Sequence, residues 1–103
     1  MITDETFKRL ALKFPGVSSK PHFNKTSFKS SKRIFATLDP KLHLSCLKLS
    51  EIVQDVFCRY DSIINYPVPN KWGKQGWTFF NLKLVSKAML IDALCVAYNL
   101  SEN

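Results

Sequence analysis

The densest concentration of chemically useful side chains lies in residues 66–77, Tyr-Pro-Val-Pro-Asn-Lys-Trp-Gly-Lys-Gln-Gly-Trp, with both tryptophans, two of the three glycines and two of the five prolines. Pro67 and Pro69 stiffen this backbone, while Gly73 and Gly76 permit conformations or close approaches that side chains forbid. Lys71, Lys74 and Gln75 supply hydrogen-bond donors and Trp72 and Trp77 supply flat surfaces. That mixture suits phosphate contact combined with stacking on a base or another planar group. The competing reading is that both indoles anchor the segment onto the fold, their N–H groups satisfied by backbone carbonyls.

A second segment, Lys20-Pro21-His22-Phe23, places an imidazole that titrates near neutral pH beside a conformationally restricted proline. A single His next to Phe is more often packed and hydrogen-bonded than catalytic, and no Asp or Glu stands in its local sequence to orient it. Paired carboxylates in a common motif, a Gly-x-Ser-x-Gly turn and a phosphate-cradling glycine loop are also absent. The chain is therefore expected not to be an enzyme, with no catalytic residue assigned. Cys46, Cys58 and Cys95 are odd in number, lack CxxC spacing and sit in apolar stretches, so they read as small buried hydrophobes rather than disulfide or zinc residues. His43, three residues before Cys46, adds no further ligand types. Neither metal nor cofactor is expected.

Charge points to a class of partner. Fifteen Lys and Arg against eight Asp and Glu give +7. Residues 1–38 hold eight of the cations (Lys8, Arg9, Lys13, Lys20, Lys25, Lys29, Lys32 and Arg33) against Asp4 and Glu5 alone, a net of +6. A clustered field of this kind favours a polyanion, whereas scattered charge serves solubility. Asp4 and Glu5 stand where a signal peptide would be basic, no apolar core follows them, and Asp92 interrupts the longest apolar helix candidate. The expected location is the reducing cytoplasm, with no membrane partner.

The elements that must position these residues follow from spacing. With 103 residues and 46% hydrophobic content, the chain has room for one domain, residues 1–103, with a core that needs no staples. Thr3 caps a first helix with Asp4 and Glu5 in its first turn and Phe7, Leu10, Ala11 and Phe14 at helical spacing, until Pro15-Gly16 stops it. From residue 17 to 49 the period becomes two, and Thr26-Ser27-Phe28, residues 33–38 and residues 43–46 read as an antiparallel meander. With a three-residue loop near Ser30, Phe28 shares a face with Ile34, Ala36 and Leu38, leaving Lys25, Ser27, Arg33, Phe35 and Thr37 opposite. A two-residue loop shifts the register and mixes the sets. Ser50 caps a second helix with a buried stripe of Ile52, Val53, Val56, Phe57 and Tyr60. Residues 78–82 form a last strand, and Ser86 caps a final helix with Met89, Leu90, Ala93, Leu94, Ala97 and Tyr98 on its apolar face.

Phe14-Pro15-Gly16-Val17, Lys20-Pro21-His22-Phe23, residues 32–38, Leu47-Lys48-Leu49 and finally residues 67–77, in that order, closely resemble the blocks of the MmcQ/YjbR family of small bacterial proteins. The resemblance spans nearly the whole chain and is most specific in its last block, Pro-Val-Pro-x-Lys-Trp-Gly-[Lys/Arg]-Gln-Gly-Trp. It implies an α+β fold of two layers, an antiparallel sheet flanked by N- and C-terminal helices, likened to frataxin and described as a double-wing DNA-binding architecture. Ser18-Ser19, Asn24 and Ser30-Ser31 depart from residues usual in relatives. Frataxin-like iron chemistry is not carried over, because the acidic ridge it requires is missing here.

Two functional readings follow. In the first, a non-enzymatic DNA-binding protein, Lys20, His22, Lys25, Lys29, Lys32 and Arg33 of the hairpin region join Lys71, Trp72, Lys74, Gln75 and Trp77 in contacting nucleic acid, without predicted sequence specificity. In the second, a small anionic or planar ligand, or a protein, occupies a cleft between the His22 segment and the Trp72–Trp77 loop, and the hairpin lysines only keep the protein soluble. A monomer is the favoured state.

Overall fold

Thr3 accepts a hydrogen bond from the Thr6 amide and opens α1 (Asp4–Leu12), whose buried Phe7 and Ala11 turn inward. Pro15 and Gly16, the latter with φ of 75°, end that run and send the chain into the sheet. The computed structural model describes residues 1–103, and after α1 come β1 (Ser18–His22), β2 (Lys25–Lys29), β3 (Ile34–Asp39), β4 (Leu44–Lys48), α2 (Glu51–Tyr60), β5 (Asn65–Pro67), α3 (Lys71–Lys74), β6 (Trp77–Asn81) and α4 (Lys87–Ser101). The strands form one sheet in the order β1-β2-β3-β4-β6-β5, with every neighbouring pair antiparallel. The α+β, two-layer architecture with N- and C-terminal helices flanking an antiparallel sheet is as the sequence implies.

Three helices share one face of the sheet. Phe7 of α1 meets Phe28 of β2 edge-on at 5.5 Å, Phe57 of α2 meets Phe80 of β6 at 5.6 Å, and α4 packs over β3 and β4. Between the layers lie Phe28, Phe35, Ala36, Leu38, Leu47 and Phe80 from the strands and Leu90, Ala93, Leu94 and Ala97 from α4, all fully buried. Phe14 stacks on Tyr98 at 4.8 Å, and the Tyr98 hydroxyl donates to the Pro15 carbonyl at 2.6 Å, tying the end of α1 to α4.

The β2–β3 register departs from the three-residue-loop expectation at one point. Phe28 opposes Ala36 and Ser27 opposes Thr37, but Lys29 opposes Ile34, so Phe35 is the extra residue of a β-bulge. A bulge lets consecutive residues of one strand point the same way. Phe35 therefore joins Ala36 in the core, against its expected place beside Lys25 and Thr37, and Ile34 moves to the opposite face. The 1–38 half also contributes an edge strand, β1, that the period-two reading omitted because every residue in it is exposed.

The expected buried stripe of α2 is also corrected. Val53 and Phe57 pack on the core, but Ile52, Val56 and Tyr60 are exposed. The helix is rotated to bury Gln54, whose side-chain amide donates to the carbonyls of Gly73 at 2.9 Å and Trp77 at 3.2 Å. The carbonyls of Gly73 and Trp77 also accept from the amides of Gly76 and Val68, so Gln54 fills their second lone pairs and ties α2 to the segment that bears the tryptophans. His43 is a turn residue with φ of 53° rather than a strand residue, and Cys46, Cys58 and Cys95 are half-buried, half-buried and exposed rather than sealed in the core.

Candidate functional site on the open sheet face

The face of the sheet away from α1, α2 and α4 carries one uncovered row from edge to edge. Lys20 opposes Ser27, Ser27 opposes Thr37, Thr37 opposes Cys46, Cys46 opposes Phe79 and Phe79 opposes Tyr66. A groove of about 510 Å³ lies over this row. His22 and Lys25 stand on its β1–β2 side, Val68, Trp72 and Trp77 on the other, and Ser27, Ile34, Thr37, Cys46 and Phe79 line the space between.

The segment bearing the tryptophans is more structured than a loop. Asn70 caps α3 by accepting from the Trp72 amide at 2.8 Å, and the short helix lifts Trp72 to the groove margin, where it is 50% exposed. Trp77, on β6, is half-buried. Neither indole is sealed inside. Gly73 and Gly76 serve the close approach expected of them: a Cβ at Gly73 would overlap the Val68 carbonyl, and one at Gly76 the Leu49 carbonyl. Lys48, which sequence reasoning did not single out, donates from Nζ to the carbonyls of Leu49 and Gln75 and so ties β4 to the end of α3.

At the other margin, His22 and Lys25 are partners across a two-residue turn of Phe23 and Asn24. Phe23 has φ of 57° and is 94% exposed, its ring edge-on to His22 at 4.9 Å. Positive φ costs a bulky residue about 1–2 kcal/mol, so this aromatic is held at the hairpin tip against local preference. At Cys46, burial pushes the thiol up to about 12 even though the charge of Lys25 pulls the other way. The groove floor therefore holds a neutral thiol at physiological pH and not a nucleophilic thiolate. No carboxylate lines the groove to orient His22.

The eleven residues expected to act together are not brought to one place. His22, Lys25, Trp72 and Trp77 line the groove, while Lys20 and Lys29 lie on the same sheet face by register. Arg33 is committed elsewhere, and Lys32 beside it lines neither the groove nor a second cleft. The Arg33 guanidinium donates to the Asn103 carbonyl at 2.8 Å, and the Ser31 hydroxyl donates to Glu102 at 2.6 Å, docking the β2–β3 turn onto the end of α4. The Ser31 hydrogen bond, helped by that from Ser30 and by the charge of Lys32, outweighs partial desolvation and holds the Glu102 carboxyl below its ordinary range. Lys74 turns to a different cleft with Glu51, Gln54, Asp55, Cys58 and Pro67. Lys71 and Gln75 line neither cleft.

Thr37 lies on the open face as expected, whereas Phe79, Val68, Cys46 and Ile34 were missed as groove residues. The alternation Trp77-Thr78-Phe79-Phe80 carried the signal for Phe79, since Thr78 and Phe80 face the core. Nothing in the sequence announced Ile34, which reaches the groove only through the bulge. No three His, Cys, Asp or Glu side chains converge in a way that could hold a metal ion, and no helix is long and apolar enough to cross a membrane.

No protein-family model matches the chain, and no curated protein matches it at a significant level. Among solved structures it is similar to the Deinococcus radiodurans protein DR2400, a DUF419 domain, with a TM-score of 0.85 and 18% identity over 97% of this chain and 78% of that one. At that identity the likeness shows the fold, and a fold alone does not carry a function.

Proposed function

We propose that this chain is an MmcQ/YjbR-like protein that binds nucleic acid without catalysing a reaction, and that its contact surface is the groove on the open sheet face. Family membership is supported by the ordered sequence blocks together with the fold shared with a DUF419 domain. The observation that carries the binding reading is the meeting of His22 and Lys25 with Trp72, Trp77 and Phe79 across one groove. Aromatic faces accept bases by stacking, and ammonium groups along one margin track phosphates. A groove with an apolar aromatic floor suits unpaired bases better than the outside of a duplex, because a paired base hides its flat face in the stack. Lys32 and Arg33 leave the contact set, since neither lines the groove and the Arg33 guanidinium is bonded to the Asn103 carbonyl.

The test is titration of labelled single strand and duplex at two ionic strengths. With Lys20, Lys25 and Lys29 each engaging one phosphate, the log–log slope against salt is about −2 for a single strand. Trp72→Ala or Trp77→Ala should weaken single-strand binding by about 1–3 kcal/mol, the usual worth of one stacked base. Lys25→Ala should flatten the salt slope, whereas Lys32→Ala with Arg33→Ala should change affinity little. No binding at low salt, or equal losses from the groove and turn variants, rejects the assignment. The concavity of the groove favours one second reading, a small planar anion seated between His22 and Trp72. It predicts saturation by a free nucleotide at affinity equal to that of a longer strand.

A further inference from the structure

The β1–β2 hairpin ends in a residue that its turn does not favour. His22 pairs with Lys25 around Phe23 and Asn24, and of these two only Phe23 has a positive φ, as at the first central place of a type II′ turn, where glycine is the usual choice. A bulky side chain in that region is an outlier. Little packing within the chain offsets the strain, because the ring is almost wholly in water and stands edge-on to His22. Residues held in sparsely populated backbone regions cluster where a ligand is gripped. We infer that Phe23 is a stacking platform for one unpaired base of a nucleic-acid single strand, one step outside the groove; this rests on the nucleic-acid reading of that groove.

Position and charge select this occupant. His22 lines the groove and its ring centre is 4.9 Å from that of Phe23, so a nucleic-acid strand that runs from Trp72 past His22 meets the hairpin tip next. Lys20, His22, Lys25 and Lys29 share one face of the hairpin, and residues 18–33 contain no Asp or Glu. A polyphosphate is therefore drawn along the hairpin, while its unpaired bases need flat apolar faces. An anionic membrane shares the preference for charge, but a single ring between His22 and Asn24 gives it only a small apolar anchor. What a base requires of this position is a plane, and an apolar residue of similar bulk without one does not supply it.

The test titrates the full chain with a labelled oligothymidine of about 16 nucleotides. Phe23→Ala should weaken binding about tenfold and Phe23→Leu by about as much, whereas Phe23→Trp should stay within about threefold of the parent or bind more tightly. Phe23→Gly should lose the same affinity while raising the urea midpoint, because glycine relieves the turn. The salt slope should be unchanged in all four variants, since it counts phosphate contacts and not stacking. If Trp72→Ala weakens binding and Phe23→Ala does not, the groove reading stands and this inference falls; no binding by the parent chain at low salt removes both. Parent-like affinity in Phe23→Leu, a lower urea midpoint in Phe23→Gly, or capture of the parent chain by phosphatidylserine vesicles that Phe23→Ala abolishes also overturns it.

Discussion

Gly76 shows how a single residue fixes the site. Its φ is 106°, a region that L side chains rarely enter, and the Leu49 carbonyl occupies the place of its missing Cβ. Its amide donates to the Gly73 carbonyl and its carbonyl accepts from both the Leu49 amide and the Thr78 hydroxyl. Gly76→Ala therefore combines backbone strain with displacement of β4 against β6. The expected cost is about 2–4 kcal/mol in urea unfolding, well beyond the propensity difference between the two residues. The two glycines of residues 66–77 were legible as close-approach positions because nothing else explains them beside two tryptophans. Gln54 was not legible: a polar residue inside an apolar helical stretch reads as an interruption until its amide is seen to bridge the carbonyls of Gly73 and Trp77.

At the scale of elements, the β2–β3 turn is held by the end of α4, and this contact has a pH dependence of known sign. Glu102 titrates below its ordinary value when folded, first because the Ser31 hydroxyl donates to it. A carboxyl depressed by folding stabilises the docked turn fully above its unfolded pKa, and that contribution is lost as pH falls through the lower folded value. The protection factors of the Lys32 and Arg33 amides, taken against intrinsic exchange at each pH, should therefore fall on acidification through and below the usual carboxylate range, and Glu102→Gln should abolish the change. The order of the three long helices and the three central strands was legible from caps and period, since Thr3, Ser50 and Ser86 each accept a hydrogen bond from an amide three residues on, whereas α3 and β5 were not read from the sequence. What escaped were the features that contradict local pattern. β1 has no inward residue to announce it, and the bulge at Phe35 changes which side chains share a face without leaving a mark in the composition.

For the molecule as a whole, only Arg59 among fifteen Lys and Arg residues is in an ion pair. The others repel one another across a body with a radius of gyration of 12.2 Å, little more than the screening length at 0.1 M salt. Raising sodium chloride from low ionic strength to about 0.3 M should therefore raise the urea midpoint, because screening relieves repulsion faster than it weakens one exposed ion pair. A midpoint that falls would mean that attractive pairs dominate. The outermost strand carries a last consequence. His22 and Lys25 flank a two-residue turn and form the mutually bonded pair of that hairpin, so the next position, Pro21, directs its ring nitrogen away from β2. An ordinary residue there would offer an N–H to any passing strand. Proline leaves that rim of the sheet with a missing donor, a built-in stop against lateral stacking into fibrils.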